Sequence, residues 1–173
     1  ILGNHDYSMY QTGTPQEKAS NERKLQEYEK SIGWQLLNNE HKAYYSANHK
    51  DSIIIAGEGN SGTGRFPDWS DMKKTMRGVK KNDCVILMQH DPMTWQSRIL
   101  PKSNAALTLS GHTHGGQISI FGLRPSALVY PNDRGLYEKQ GRYLYVTSGI
   151  GALLPFRLGV SPEITVITLK IKK

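Results

Sequence analysis

Short apolar runs alternate with amphipathic stretches along the chain, a pattern that predicts strands and helices in turn. The clearest helix start is the TPQE of residues 14–17, which offers a threonine N-cap, a proline in the first turn and a glutamate for a capping box. This helix is predicted to run to about Ser31, with Leu25, Tyr28 and Ile32 on its apolar stripe.

The remaining elements follow from the same patterning. A second helix is predicted from Asp68, as its N-cap, to Gly78. Strands are predicted at residues 1–2, 44–46, 52–56, 84–88, 106–109, 143–147 and 164–171, the second and third of them forming a hairpin. Strands that alternate with helices indicate an α/β or α+β fold. A chain of 173 residues fits a single domain with a sizeable core.

Composition changes this picture only slightly. The net charge of +7 is spread over lysine pairs, which favours solvated faces and leaves attraction to phosphate-bearing ligands as a second interpretation. The single Cys84 excludes an internal disulfide, and its apolar neighbours predict a buried thiol. The longest apolar run, at 84–88, is too short to span a membrane.

Three polar clusters each follow a predicted strand, at residues 4–6 (NHD), 90–91 (HD) and 112–114 (HTH). Four of the six histidines lie in these clusters. Ligands gather beyond the carboxyl ends of strands in such sheets, and imidazoles together with carboxylate or amide oxygens form metal-binding sets. We therefore expect the three clusters to meet at one metal-binding rim.

The sequence motifs around these clusters resemble those of a known family. GNHD, QHDP and SGHTHGGQ, in this order, resemble the third, fourth and fifth motifs of the calcineurin-like metallophosphoesterases, and the resemblance covers essentially the whole chain. The tail GLYEKQGRYLYVTSGIG…PFRLGVSPEITVITL is similar to a bacterial branch whose members are often tethered to membranes. The resemblance implies a metallophosphoesterase-type β-sandwich flanked by helices, and a metal-dependent phosphoester hydrolase.

The resemblance also implies roles for individual residues. The implied metal ligands are Asn4, His90 and His112 for one ion and His114 for a second. His5 would stabilise the transition state or protonate the leaving oxygen, and Asp6 would orient His5. Two divalent ions of Mn, Fe or Zn would clamp the phosphate and supply a hydroxide for in-line attack.

The first two motifs of the family, D-x-H and G-D-x-x-D/N, do not occur in the chain. In the family they precede GNHD and supply the remaining ligands of the second metal. Residues 1–173 are therefore expected to form the C-terminal part of one phosphoesterase domain whose N-terminal strands and motifs are missing. This part alone is expected to be inactive and to bind at most one weak ion, with the N-terminal half as its partner. An exposed sheet edge would let copies of the chain associate.

The branch resemblance favours a phosphodiesterase or pyrophosphatase that acts on a small phosphoester or a lipid-linked substrate. It also implies a full-length protein tethered to a bacterial membrane, with the present chain itself soluble. Two alternatives stay open. One is a non-catalytic basic module for nucleic acid or a phospholipid surface, supported only by the charge of +7, although specific nucleic-acid binding is not expected. The other is a degenerate fragment without metal.

Other residues that could bind a ligand or take part in a reaction receive weaker assignments. The G-x-G-x-x-G of residues 57–62 lacks a helix start at its third glycine, which excludes a dinucleotide site. It is interpreted as a loop near the rim, where Arg65 would touch the substrate phosphate. His41 and His49 receive no role in the site. Four tyrosines are assigned to strands and core rather than to base stacking: Tyr130, Tyr137, Tyr143 and Tyr145.

Overall fold

One mixed six-stranded sheet organises the protein, which confirms the predicted α/β class. The structure is a computed structural model that describes residues 1–62, 66 and 68–170. The strands are β1 Glu40–Tyr45, β2 Ser52–Gly57, β3 Cys84–Met88, β4 Leu107–Ser110, β5 Gly135–Lys139 and β6 Arg142–Val146. Their order in the sheet is β1-β2-β3-β4-β6-β5. The four inner strands are parallel, whereas the edge strands β1 and β5 pair antiparallel with their neighbours.

Most strands lie close to their predicted positions. The hairpin of β1 and β2 is confirmed, although β1 begins at Glu40 rather than at residue 44. The bounds of β3, β4 and β6 lie within one residue of the prediction, and β5 was not predicted. Continuous apolar runs therefore located the inner, parallel strands correctly, as expected for strands in the middle of a sheet.

Helix α1 spans Pro15–Ser31, as predicted, and its capping box is formed. Thr14 Oγ1 accepts a hydrogen bond from Glu17 N at 3.3 Å, and Glu17 Oε2 accepts one from Thr14 N at 2.7 Å. However, no residue of α1 is buried, and Tyr28 is 63% exposed. The predicted apolar stripe therefore does not face the core in the part of the chain that the structure describes.

Helix α2 is a single turn, Met72–Thr75, and Asp71 rather than Asp68 caps it. Asp71 Oδ1 accepts a hydrogen bond from Lys74 N at 2.9 Å, whereas Asp68 pairs with Arg98 at 2.6 Å. The predicted cap is wrong because two aspartates stand three residues apart and the helix begins only after the second.

The hydrophobic core lies on one face of the sheet, under a helical segment that follows β3. This segment consists of a 3₁₀ turn, Pro92–Thr94, a π-helical turn, Trp95–Ile99, and the short helix α3, Leu100–Lys102. Its buried Trp95 and Ile99 belong to the core cluster. The strands contribute Ile54, Ala56, Val85, Leu87, Leu144 and Val146 to this cluster.

Cys84 is exposed, so the prediction of a buried thiol is wrong. Side chains alternate between the two faces along a strand. Because Val85 points into the core, Cys84 at the start of β3 points to the opposite face.

The C-terminal segment 161–170 contains no strand, although one was predicted at 164–171; residue 171 lies outside the described residues. Ile164 is 83% exposed and Val166 is 88% exposed. Alternating apolar residues are typical of a strand, but a strand also needs a neighbour that satisfies its backbone groups. No described strand pairs with this segment. Residues 1–2 likewise form no strand, although Leu2 is buried.

Within the described residues, none of the helices combines the length and the apolar composition that a membrane span requires.

Candidate metal centre

Strands β3 and β4 carry two histidines to one edge of the sheet. The strands are parallel neighbours, and His90 and His112 lie two residues past their carboxyl ends. A backbone hydrogen bond of 3.1 Å from Gly111 N to His90 O continues the pairing beyond both strands. The two imidazoles therefore start from adjacent positions on the rim where ligands gather in sheets of this kind.

Asn4 joins these histidines. Asn4 Oδ1 lies 3.0 Å from His90 Nε2 and 3.1 Å from His112 Nδ1, and the two ring nitrogens are 3.2 Å apart. The asparagine is 2% exposed, so protein atoms surround its amide almost completely. Three side chains that are distant in the sequence thus bring one oxygen and two nitrogens to a common point.

The backbone around this point adopts conformations that most residues avoid. A Cβ at Gly3 would lie 2.8 Å from ring atoms of His90, so the close approach of the two segments requires a glycine. His112 and His114 have positive φ angles of 69° and 52°. The left-handed region costs a non-glycine residue roughly 1–2 kcal/mol. Such strain is often retained at functional sites.

The other predicted site residues within the described part line the same cavity without joining this contact. His114 Nδ1 lies 3.1 Å from the backbone oxygen of residue 151. The exposed ring of His5 stacks on Tyr10, with centroids 4.5 Å apart and an interplanar angle of 30°. Asp6 Oδ2 accepts a hydrogen bond from Gly3 N at 2.8 Å and closes the turn that carries His5.

Two tyrosines that the sequence analysis did not assign to the site contact Asn4 and His112. Tyr10 Oη accepts a hydrogen bond from Asn4 Nδ2 at 2.9 Å, and Tyr130 Oη lies 3.2 Å from His112 Nε2. The assignment of Tyr130 to a strand and packed core is wrong, because it lies in a loop after the 3₁₀ helix Pro125–Leu128 and lines the cavity. No local pattern reveals either tyrosine, since each reaches the site along a loop.

A cavity of about 960 Å³ opens beside the contact. One wall is apolar and includes Val129, Leu153 and Leu154. The buried Gln117 fixes this wall, because its Nε2 donates to the backbone oxygens of residues 154 and 156 at 3.0 and 2.7 Å. Arg65, the predicted phosphate contact, lies outside the described residues.

Burial favours the neutral form of the imidazoles of His90 and His112. Burial, together with repulsion from His112 and His114, lowers the pKa of His90 to about 3. Burial also lowers the pKa of His112, although the charge of Asp91 opposes this effect. Neutral imidazole is the form that binds a metal, because one ring nitrogen then keeps a free lone pair.

These residues fit one divalent cation. An amide oxygen and two neutral imidazole nitrogens form a mixed donor set of the kind that divalent metals accept. Among the described residues there is no group of three or more His, Cys, Asp and Glu side chains that could hold a metal ion. The contact offers three candidate donor atoms, of which one is an amide oxygen, and a cation bound there would need further ligands to complete its coordination.

Comparison with protein families bears directly on this site. The family model for calcineurin-like phosphoesterases matches residues 1–116, a range that includes Asn4, His90 and His112. The chain belongs to the calcineurin-like phosphoesterases. The resemblance inferred from GNHD, QHDP and SGHTHGGQ is thereby confirmed at the level of the family. Calcineurin-like phosphoesterases generally use divalent metal ions, in agreement with the donor set.

Curated relatives support the same family. An uncharacterized metallophosphoesterase of Aquifex aeolicus is 28% identical over 176 residues, which cover 99% of this chain and 60% of the relative. Phosphodiesterase YaeI of Escherichia coli is 27% identical over 143 residues, 81% of this chain and 49% of that protein. A transmembrane protein with metallophosphoesterase domain of Danio rerio is 33% identical over 147 residues, 81% of this chain and 33% of that protein.

The chain thus spans 60% or less of the length of these three phosphoesterase relatives. No solved structure matches the chain significantly.

Proposed function

We propose that the chain is the C-terminal part of a phosphodiesterase or pyrophosphatase domain whose complete centre holds two divalent ions. The observation that carries this proposal is the contact of Asn4 Oδ1 with His90 Nε2 and His112 Nδ1 in a member of the phosphoesterase family. The printed name of the Escherichia coli relative supports the reaction type. The chain covers 60% of the Aquifex aeolicus relative, so a complete domain can hold further ligands outside residues 1–173.

In this proposal Asn4, His90 and His112 hold one ion and His114 contributes to the second. Ions of Mn, Fe or Zn would supply positive charge to a phosphoryl oxygen and lower the pKa of an attacking water. His5 would protonate the leaving oxygen or stabilise negative charge, and its exposure in the cavity supports this role. Asp6 would hold the turn that presents His5, through its hydrogen bond from the backbone of residue 3.

The proposed substrate carries an apolar portion, as a lipid-linked phosphoester does. Support comes from the exposed side chains of Val129, Leu153 and Leu154 on one wall of the cavity, because exposed apolar surface beside a polar site favours an amphipathic ligand. The name of the Danio rerio relative, a transmembrane protein, supports a membrane-tethered full-length protein.

Hydrolysis of bis-p-nitrophenyl phosphate with Mn²⁺ tests the reaction. The assay compares the 173-residue chain with a chain that also carries the proposed upstream part of the domain. We expect turnover by the extended chain and none by the shorter one, because the shorter one lacks ligands of the second ion. The proposal is wrong if the extended chain hydrolyses no phosphoester with any divalent ion.

A pair of matched variants tests the role of the histidines. His112→Gly in the extended chain removes a proposed ligand and should lower turnover by at least ~100-fold, since even indirect supports of ligands are worth about 10–100-fold. His49→Gly is the control, because His49 also has a positive φ, of 56°, but lies in the β1–β2 turn. Equal activity of both variants would exclude His112 from the centre.

A further inference from the structure

Tyr10 contacts Asn4, and Tyr130 contacts His112. Each contact lies on the side away from the shared point, where Asn4 Oδ1 meets the ring nitrogens of His90 and His112. Tyr10 Oη lies 2.9 Å from Asn4 Nδ2, and Tyr130 Oη lies 3.2 Å from His112 Nε2. Neither tyrosine belongs to the polar clusters that follow the strands. The contacted atoms, Nδ2 of Asn4 and Nε2 of His112, are the polar side-chain atoms that do not face the shared point.

For Asn4 the contact accompanies an amide orientation in which the oxygen faces the histidines. An amide has an oxygen that accepts and a nitrogen that donates. Nδ2 donates to Tyr10 Oη, and Oδ1 is directed at His90 Nε2 and His112 Nδ1. The opposite orientation would present the NH₂ group to the shared point, where it offers no lone pair. Stacking of Tyr10 on the ring of His5 at 4.5 Å holds the phenol in place.

For His112 the contact with Tyr130 Oη accommodates either neutral tautomer, and a proton on Nε2 is the arrangement that leaves Nδ1 free for a cation. A neutral imidazole has one N–H and one lone pair, and a hydrogen-bond partner at one nitrogen can bias the tautomer. A proton on Nε2 can be donated to Tyr130 Oη, which leaves the lone pair of Nδ1 directed at Asn4 and His90. Edge contacts with the rings of His90 and Tyr130, at 5.0 and 5.8 Å between centroids, hold the plane of the imidazole.

We propose that Tyr10 and Tyr130 are positioning residues, which orient the oxygen of Asn4 and the Nδ1 lone pair of His112 toward a common divalent cation. This inference rests on the proposed metal-dependent function. It assigns the two tyrosines no contact with the cation or with the reacting atoms.

Cobalt binding to the 173-residue chain tests the proposal directly. Co²⁺ is titrated into wild type, Tyr10→Phe and Tyr130→Phe, and binding is followed by visible absorption and by calorimetry. We expect each variant to bind about 10–100-fold more weakly, the range typical of changes to residues that orient ligands. Tyr28→Phe is the matched control, because Tyr28 is exposed on α1. The Co²⁺ affinity of this variant should stay within about twofold of wild type.

A second readout needs no metal. Long-range ¹H–¹⁵N spectra of the histidine rings report which nitrogen is protonated, and we expect wild-type His112 to carry its proton on Nε2. Tyr130→Phe should convert this to a mixture of tautomers, whereas Tyr10→Phe should leave it unchanged. A His112 ring protonated on Nδ1 in wild type, and unaffected by Tyr130→Phe, overturns the role of Tyr130.

The outcomes separate this inference from the proposed function. If wild type binds Co²⁺ and both phenylalanine variants bind it equally well with the same spectrum, the inference is wrong and the function stands. If the variants lose affinity but the extended chain hydrolyses no phosphoester, the function is wrong and the inference stands. If the 173-residue chain binds no divalent ion at all, the inference is wrong, whereas the proposed function is decided separately by phosphoester hydrolysis with the extended chain.

Discussion

Glu58 is a carboxylic acid on the core face of the sheet, one residue past the end of β2. It is 1% exposed, and neither of its carboxylate oxygens has a hydrogen-bond partner among the residues that the structure describes. Burial raises the pKa of Glu58 to about 7; the positive charges of Arg98 and Lys102 oppose the shift, and the negative charges of Asp68 and Asp71 add to it. An uncompensated buried carboxylate is costly, so the protonated form is favoured.

This residue predicts a specific dependence of stability on pH. Folded Glu58 keeps its proton up to a pH of about 7, whereas the unfolded chain loses it near the ordinary value of 4.5. The folded state therefore loses stability as the pH rises through this window, by on the order of 3 kcal/mol in total. Glu58→Gln cannot ionise, so we expect it to match wild type near about pH 4 and to be more stable near about pH 8.

Urea denaturation of both proteins at the two pH values measures this difference. Glu27→Gln serves as the control, because Glu27 lies on the exposed surface of α1. If the free energy of unfolding changes with pH to the same extent in wild type and in Glu58→Gln, ionisation of Glu58 does not destabilise the folded state as predicted.

At the scale of residues, the sequence analysis singled out Asn4, His90 and His112 but not the two tyrosines that contact Asn4 and His112. Asn4, His90 and His112 could be recognised because each follows an apolar run and stands in a motif of the family. Tyr10 and Tyr130 could not, because their contacts with the site depend on the paths of two loops, and these paths are set by packing over many residues.

At the scale of elements, prediction succeeded where a segment contains the reason for its own structure. Helix α1 has its capping box within four residues, and β3 is a continuous apolar run. The segment 161–170 has the alternation of a strand, but whether it becomes one depends on a neighbour elsewhere in the chain. The choice between Asp68 and Asp71 as a cap also depended on distant residues, since Asp68 pairs with Arg98.

The loop that forms the apolar wall of the cavity depends on Gln117. The Gln117 amide makes four hydrogen bonds to the backbone of residues 153, 154 and 156. Gln117→Leu keeps the size of the side chain but removes all four bonds. We expect the free energy of unfolding to fall by on the order of 2 kcal/mol, and residues 151–156 to lose protection from hydrogen exchange.

Hydrogen exchange measured by mass spectrometry, together with urea denaturation, checks this prediction. Gln140→Leu is a matched control, because Gln140 has a φ of 57°, close to the 58° of Gln117, but is exposed in the turn between β5 and β6. Unchanged exchange of the loop in Gln117→Leu would show that other contacts hold it.

At the scale of the whole molecule, the two faces of the sheet differ. One face packs into the core, whereas the opposite face of the inner strands carries partly exposed apolar side chains and the exposed Cys84. The exposed Ile164 of the C-terminal segment lies beside this face, because it lines a depression together with Leu109 and Tyr145. Val166, two residues further on, is also exposed. Contiguous apolar surface of this kind normally contacts another part of a protein or another molecule. If upstream residues complete the domain, as proposed above, they are the expected occupant of this surface.

The 173-residue chain should therefore self-associate as its concentration rises, and the extended chain should not. Val166→Glu is expected to shift the shorter chain toward monomer without loss of stability, because Val166 is 88% exposed and a charge there resists burial in a contact between copies. Thr168→Glu adds the same charge to the same exposed segment without removing an apolar side chain, so it should have a smaller effect. Sedimentation velocity measures the distribution of species. A shorter chain that stays monomeric at every concentration, or variants with identical distributions, would show that this apolar surface does not drive association.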